Sequence, residues 1–215
     1  MLAVTGLDAF IEKSPILRQV SLGLQKGQMA GLVGRNGAGK TTLMRSIMGL
    51  LKPAAGTIAI AGRDVTRLPG YVRAGMQVGY MPEDRRLVPE LTVEENICLP
   101  LWVSDRLVLA DRLAFAWRVL PELQEMRARK ALLLSGGQQK LVALARALVV
   151  GTHVLLLDEP FEGVAPALSQ RLAEVVGQLR GLGLTVLISQ SDLNHSRRLL
   201  DKQVVIERGA NVAPE

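Results

Sequence analysis

Residues 34–42, GRNGAGKTT, combine glycines with a lysine and two threonines. They fit the pattern G-x-x-x-x-G-K-[ST], with Gly34, Gly39, Lys40 and Thr41 at its fixed positions. The stretch follows the apolar MAGLV and leads into the helix-like TTLMRSIMGLL, which is the context in which this pattern binds phosphate. Glycines let backbone N–H groups turn inward, and the start of a helix favours an anion. The pattern therefore predicts a phosphate-binding loop, with Lys40 on the phosphates and Thr41 offering its hydroxyl to Mg²⁺.

A second stretch, HVLLLDEP (153–160), ends an apolar run with the adjacent acids Asp158 and Glu159. Acids at the tip of a buried strand are costly unless a cation or a reacting water lies there. We expect Asp158 to hold Mg²⁺ through its water shell and Glu159 to polarise water as a general base. Taken alone, the pair could also be the start of a helix. Its combination with a phosphate-binding loop favours the catalytic interpretation.

A third stretch, LSGGQQKLV (134–142), places two consecutive glycines at the start of an apolar helical pattern. Glycines are costly in an ordered backbone and poor inside a helix, so their presence indicates a close approach to the backbone. An N-cap role for Ser135 explains the serine but not both glycines.

The rest of the chain must position these three stretches. Short apolar runs alternate with helical patterns, and the continuously apolar VLLLD and TVLIS are typical of strands buried on both faces of a parallel sheet. Short strands that follow one another in the first 70 residues predict an antiparallel patch. From about residue 92 to 133 the strand signals give way to helical patterns. We therefore predict one α/β domain over 1–215, with a nucleotide-binding core of 1–91 and 134–215 and a helical subdomain of 92–133.

Composition narrows the classes of partner. Lysine and arginine outnumber the acids by 26 to 20, which favours phosphate-bearing ligands or an anionic membrane surface, although a solvated basic face gives the same excess. Aromatic residues make up only 3%, too few for a platform that stacks nucleic-acid bases. The single cysteine, Cys98, excludes an internal disulfide and suggests a reducing compartment. The start of the chain has no signal-peptide pattern, so we expect a cytoplasmic protein that reaches a membrane only through a partner.

The phosphate-binding loop, then LSGGQ (134–138) and then LLLDEP (155–160), in this order along the chain, resemble the ATP-binding-cassette (ABC) ATPases, and the similarity covers essentially the whole chain. The resemblance implies a P-loop NTPase fold and an ATPase that uses ATP and Mg²⁺. It also implies a head-to-tail dimer, with itself or with a homologous subunit, in which LSGGQ of one chain caps ATP held by the other. The residues it implies for binding ATP within the chain are Gly34, Arg35, Asn36, Gly37, Ala38, Gly39, Lys40, Thr41 and Thr42. The residues it implies for the ATP of the other chain are Ser135, Gly136, Gly137 and Gln138.

Longer segments resemble one subfamily more closely. GRNGAGKTTLMRSIMGLLKPAAGTI, GYMPEDRRLVPELTVEENI and LLDEPFEGVAPAL are similar to the shorter ATPase subunit of branched-chain amino acid importers. That resemblance implies membrane permease subunits as partners, a periplasmic binding protein as an indirect one, and a peripheral location on the cytoplasmic face of the cell membrane. Related importers move urea and short amides, so these substrates stay open.

Three positions depart from the general family pattern. Glu83 stands where most members carry a glutamine that senses the γ-phosphate and Mg²⁺, and it can still act as a metal ligand. Gln190 stands in place of a histidine; it can hydrogen-bond a phosphate or orient water, but it carries no positive charge. The aromatic residue that stacks on adenine falls at Ile11, with Phe10 beside it, so Phe10 is the candidate for that contact.

Other functions would use some of the same residues. A soluble ABC ATPase acting on DNA or ribosomes usually has two cassettes or a long coiled coil, which this sequence lacks, and we expect no nucleic-acid partner. A nucleotide sensor with little turnover would fit the weakened adenine contact and the glutamine, Gln190, in place of the histidine. A small kinase would share the phosphate-binding loop but would leave LSGGQ without a role.

Overall fold

The computed structural model describes residues 1–102, 107–192 and 197–212. Its strands are β1 (Leu2–Ile11), β2 (Ser14–Leu24), β3 (Met29–Val33), β4 (Ala55–Ile60), β5 (Arg63–Asp64), β6 (Val78–Met81), β7 (Val154–Asp158), β8 (Thr185–Gln190), β9 (Lys202–Glu207) and β10 (Ala210–Val212). Its α-helices are α1 (Lys40–Met48), α2 (Gly70–Gly75), α3 (Val93–Cys98), α4 (Leu109–Val119), α5 (Pro121–Glu125), α6 (Gly136–Val150) and α7 (Pro166–Leu179). None of the helices in these described parts has the length and apolarity needed to cross a membrane.

The central sheet has the strand order β10-β9-β3-β8-β7-β6. All neighbours in it are parallel except β10, which pairs antiparallel with β9 at one edge. Strands β7 and β8 are buried along their whole length, as their uninterrupted apolar sequences predict. The register places Val33 opposite Gln190, and Asp158 opposite Ser189. The carboxyl ends of β3, β7 and β8 therefore meet at one edge of the sheet.

The antiparallel patch is a separate four-stranded sheet with the order β2-β1-β4-β5. Its inward-facing side chains, among them Leu2, Val4 and Val20, share a buried cluster with β3 and with Leu43 and Ile47 of α1. The predicted fold class is thereby confirmed: an α/β P-loop fold with a parallel core sheet, an N-terminal antiparallel patch and a helical insert.

The described residues between 92 and 133 form α3, α4, α5 and a short 3₁₀ turn. Helix α3 starts with a reciprocal capping box between Thr92 and Glu95, as the sequence TVEE favours. Buried residues of these helices, such as Ile97 and Leu123, belong to the same apolar cluster as Leu144 of α6. The insert thus packs directly on the helix that follows LSGG, and its division from the core as a subdomain stays a prediction.

Arg73 is a fully buried side chain behind the phosphate-binding loop. Its guanidinium donates hydrogen bonds to the carbonyls of Ser46 and Ile47, both at 2.6 Å, and to those of Thr66 and Leu68. The guanidinium thus satisfies the carbonyls of Ser46 and Ile47, which the end of α1 leaves open. Burial lowers the pKa of Arg73 to about 10, so the guanidinium stays charged at neutral pH and anchors the far end of α1.

Candidate active site

The loop of residues 34–39 takes its shape from close contacts that only glycine allows. A Cβ at Gly34 would lie 2.3 Å from the carbonyl oxygen of Ile206 in β9. Gly37 and Gly39 have φ angles of 80° and 108°, a region that other residues rarely adopt. Gly39 precedes α1 and no side chain caps that helix. The first turn of α1 therefore presents uncapped N–H groups, which is the arrangement that binds anions.

Lys40 is only 5% exposed and folds back over the loop. Its Nζ donates to the carbonyl oxygens of Gly34 at 2.6 Å and Arg35 at 3.1 Å. The same Nζ lies 3.0 Å from Oε1 of Glu159, which is also buried. The predicted phosphate-binding lysine and the predicted general base therefore form a buried ion pair, and each neutralises the other.

A cavity of about 390 Å³ opens in front of this pair. The predicted site residues that line it are Asn36, Gly37, Gly39, Lys40, Thr41, Thr42, Glu83 and Glu159. Of the remaining loop residues, Gly34 and Arg35 contact Lys40 through their carbonyls, and Ala38 is buried in the core.

Phe10 is not among the residues that line this cavity, and its side chain is 43% exposed. Ile11 and Ile16 supply the apolar wall instead. Neighbouring residues of a strand point to opposite faces, so Phe10 and Ile11 cannot both face the cavity. Ile11 and Ile16, and not Phe10, therefore form the apolar surface that this structure offers to an adenine base. The sequence indicated Ile11, which falls at the adenine-stacking position, but it did not indicate Ile16.

Asp158 lies at the end of β7 and is completely buried. Its Oδ1 accepts hydrogen bonds from Ser189 Oγ at 2.5 Å and Thr41 Oγ1 at 3.2 Å, and its Oδ2 accepts one from Tyr80 at 3.2 Å. Burial raises the pKa of Asp158 above its ordinary value, and these three hydrogen bonds oppose the shift. The pKa of the Tyr80 phenol is also raised, by burial and then by the Asp158 charge. Tyr80 and Ser189 were missed because only strand order brings them here.

The three predicted metal ligands line one small cavity of about 200 Å³. Thr41, Glu83 and Asp158 are all on its wall, and their hydroxyl and carboxylate oxygens are the hard donors that Mg²⁺ prefers. Among the described residues, no group of three or more His, Cys, Asp or Glu side chains could hold an ion by itself. That agrees with Mg²⁺, which is typically shared between one or two carboxylates and substrate phosphates. The residues present therefore fit the ion.

Glu159 has an unusual backbone as well as an ion pair. Its φ is 47°, a conformation that costs a non-glycine residue free energy and occurs often at functional sites. Its N–H donates to both the carbonyl and the hydroxyl of Ser189, at 3.2 and 3.1 Å. Burial raises the pKa of Glu159, and the Lys40 ammonium opposes that rise.

The pKa of Glu83 is likewise raised, first by burial and then by the charge of Asp158. Both carboxyls thus bind protons more readily than free ones do.

Gln190 ends β8 and is 4% exposed. Its carbonyl oxygen accepts a hydrogen bond from the N–H of Gly34 at 3.3 Å. Its side chain is not among those that line the 390 Å³ cavity. The structure therefore places Gln190 beside the phosphate-binding loop, and its catalytic role stays a prediction.

The LSGG stretch lines a different cavity, of about 540 Å³, which we call the signature cavity. Ser135 caps α6: its hydroxyl accepts from the N–H of Gln138, whose side chain accepts from the N–H of Ser135. All four predicted signature residues, Ser135, Gly136, Gly137 and Gln138, lie on its wall. The nearest neighbours of the two glycines within the chain are the ends of flexible side chains, which can move. A Cβ at Gly137 would lie 2.7 Å from Leu168, and one at Gly136 would lie 3.2 Å from Arg85.

Comparisons with known proteins agree with this geometry. The family model for ABC transporters matches residues 17–162, more than half of the chain. The high-affinity branched-chain amino acid transport ATP-binding protein BraG of Pseudomonas aeruginosa is 34% identical over 209 residues, covering 97% of this chain and 90% of that protein. The lipopolysaccharide export system ATP-binding protein LptB of Escherichia coli is 32% identical over 200 residues, covering 92% and 83%. The dimeric post-hydrolysis structure of an ATP-binding cassette with ADP and Pi has a TM-score of 0.89 at 24% identity, covering 100% and 98%, which shows the shared fold.

Two glycine substitutions test how the phosphate-binding loop is built. Gly34→Ala should destabilise the protein by more than about 2 kcal/mol, because the added Cβ collides with the Ile206 carbonyl. Gly37→Ala should cost only about 1 kcal/mol, because the space there is open and just the left-handed backbone is unfavourable. Urea unfolding of both variants and the wild type measures the difference. An equal cost, or a larger cost for Gly37→Ala, would contradict this account.

Proposed function

The chain belongs to the family of ABC transporter ATP-binding proteins, and from this premise we propose that it powers an importer of branched-chain amino acids. It is an ATPase, as its family and fold indicate. The observation that carries the choice of substrate is the similarity to BraG, which extends over 97% of this chain. Importers of urea or short amides remain the alternative within the same class of protein.

The ion pair between Lys40 and Glu159 supports a simple account of how the site works. Phosphate oxygens entering the loop would compete with Glu159 for the Lys40 ammonium, and the uncapped N–H groups of α1 would hold them in place. Glu159 would then be released beside the terminal phosphate. A buried carboxylate without its cation has a higher proton affinity, which suits a general base acting on water. Mg²⁺ would supply charge neutralisation on the phosphates, held by Thr41, Asp158 and Glu83.

The separation of the two cavities supports a dimer in which each ATP contacts both chains. Lys40 lines one cavity, whereas Ser135 and Gly136 line the other. The signature residues would therefore contact the phosphate bound by a second copy or by a homologous subunit. Helix α6, at 15 residues, is long enough for its N-terminus to contribute a favourable dipole to such a phosphate.

A third surface supports binding to a membrane subunit. The segment 84–89 and the turn 131–132 enclose a depression of about 150 Å³, and Val88, Leu132 and Leu133 are exposed nearby. Exposed apolar side chains grouped in this way are typical of protein interfaces. We place a cytoplasmic helix of the permease here, which puts the ATPase on the cytoplasmic face of the membrane. The periplasmic binding protein would act on the permease and not on this chain.

Export of lipopolysaccharide is the second candidate, because LptB is 32% identical over 92% of this chain. The segment GYMPED (79–84) favours import, since the sequence here resembles the branched-chain importer subunits and carries Glu83 at its fifth position. A soluble ABC ATPase and a sensor with little turnover would share the ATP site but not the need for a permease.

Substitution of the general base tests the catalytic assignment. Glu159→Gln should lower ATP turnover by about 100-fold or more, since the amide cannot accept a proton from water. It should also trap an ATP-bound dimer, visible by size-exclusion chromatography with Mg-ATP. Glu174→Gln, on the exposed face of α7, serves as the matched control and should hydrolyse ATP normally. Undiminished turnover in Glu159→Gln would show that Glu159 is not the base.

Substitution in the signature stretch tests the shared site. Gly136→Asp should fold, because the new carboxylate lies at a helix N-terminus close to Arg85. It should bind nucleotide normally but lose dimer formation and turnover, because a negative charge would face the partner's phosphate. Gly181→Asp, in open space, is the control. Nucleotide titration and chromatography on the Glu159→Gln background measure the two steps; normal hydrolysis by Gly136→Asp would contradict a shared site.

Transport assays test the substrate. Cells lacking the gene should lose uptake of labelled leucine, isoleucine and valine, and the wild-type gene should restore it while Glu159→Gln should not. Unchanged uptake of these amino acids together with lost uptake of urea or acetamide would favour the amide importers. A defect in lipopolysaccharide reaching the cell surface, with normal uptake of all these solutes, would favour export.

A further inference from the structure

Lys140 is a buried lysine that none of the roles above uses. It is the fifth residue of α6, and its side chain is 4% exposed. Its side chain lies on the wall of the signature cavity. Its Nζ donates a hydrogen bond to the carbonyl oxygen of Glu162. Burying an ammonium group costs free energy, which its hydrogen bonds must offset.

The contact fastens the turn that carries the general base. Glu162 donates its N–H to the carbonyl of Glu159 at 3.2 Å, which closes a tight turn after β7. Glu159 and Gly163 both have left-handed backbones in this turn, with φ of 47° and 66°. Such conformations persist only when the surrounding structure holds them. The bond from Lys140 is one of the contacts that tie this turn to α6.

Glu162 also lines both cavities. It is on the wall of the 390 Å³ cavity in front of Lys40 and on the wall of the signature cavity. Lys140 lines only the signature cavity, and its hydrogen bond joins it to Glu162, which lines both cavities. The ammonium is attracted to Glu162, Glu159 and Glu83 and repelled by Arg85, while burial lowers the pKa of Lys140. The positive charge on α6 thus acts on the acids around the predicted hydrolytic site of the same chain.

We propose that Lys140 is a positioning residue for ATP hydrolysis: it holds the turn of residues 159–163 on α6 and links the signature cavity to the base in the same chain. The inference rests on the proposed role of Glu159. Lys140 does not contact the reacting atoms, so it acts on the placement of Glu159 and not on the binding of ATP. Misplacing a catalytic group by about 1 Å can cost roughly 100-fold in rate.

The test compares two variants of Lys140 in the dimeric ATPase. Lys140→Met keeps the length of the side chain but loses both its donor and its charge, and kcat should fall by about tenfold or more. The KM for ATP and the unfolding temperature should stay close to those of the wild type. Lys140→Arg keeps the donor and the charge and should recover most of the lost kcat. Should Lys140→Met not fold, Lys140→Gln replaces it in the comparison.

Arg171→Met is the matched control. Arg171 also donates to a backbone carbonyl, that of Val119, and pairs with Glu122, but it lines neither cavity. Its loss should leave kcat unchanged. The proposal is overturned if Lys140→Met keeps kcat within twofold, if ATP affinity or stability falls as much as kcat, or if Lys140→Arg loses as much as Lys140→Met. Glu159→Gln measured in parallel separates the cases: a slow Glu159→Gln with an active Lys140→Met refutes only the role of Lys140.

Discussion

The buried pair of Lys40 and Glu159 is the interaction on which the rest of the site depends. Two opposite charges separated by 3.0 Å in a place that is 95% shielded from water are stable only together. Removing one partner leaves an uncompensated buried charge, which is strongly unfavourable. In the proposed mechanism an incoming phosphate would replace Glu159 as the partner of the ammonium, so that binding of ATP and release of the proposed base would be one event. The glycines of the loop, the start of α1 and the end of β7 all serve to keep these two side chains together.

The neighbouring Asp158 shows how the same edge of the sheet supports a second charge. Its three hydrogen bonds come from α1, β6 and β8, so the carboxylate fixes three elements relative to β7. A buried carboxylate with several hydrogen bonds is tolerated far better than an isolated one. The edge therefore carries two acids with different partners: Asp158 is held by hydroxyl groups, and Glu159 by an ammonium.

The residues predicted to contact ATP line two cavities, and the turn of residues 159–163 contributes to the walls of both. Glu162 borders both, and Lys140 holds its carbonyl from α6. Within the chain, the glycines at 136 and 137 are approached only by the ends of the flexible side chains of Arg85 and Leu168, so these contacts do not by themselves require glycine.

The sequence alone determined the features that are local along the chain: the phosphate-binding loop, the acids at the end of an apolar strand, the capped start of α6 and the alternation that predicts a parallel sheet. The first three are patterns of neighbouring residues, and the last is a repetition of such patterns along the chain. Only the tertiary structure decided which further residues lie at the site: Tyr80, Ser189, Ile16 and Lys140. It also decided that Ile11 and Ile16, and not Phe10, line the cavity wall. Their roles depend on strand order, on the register between β7 and β8 and on which face of β1 or α6 is covered. Contacts between residues tens of positions apart follow from packing, which no short sequence pattern records.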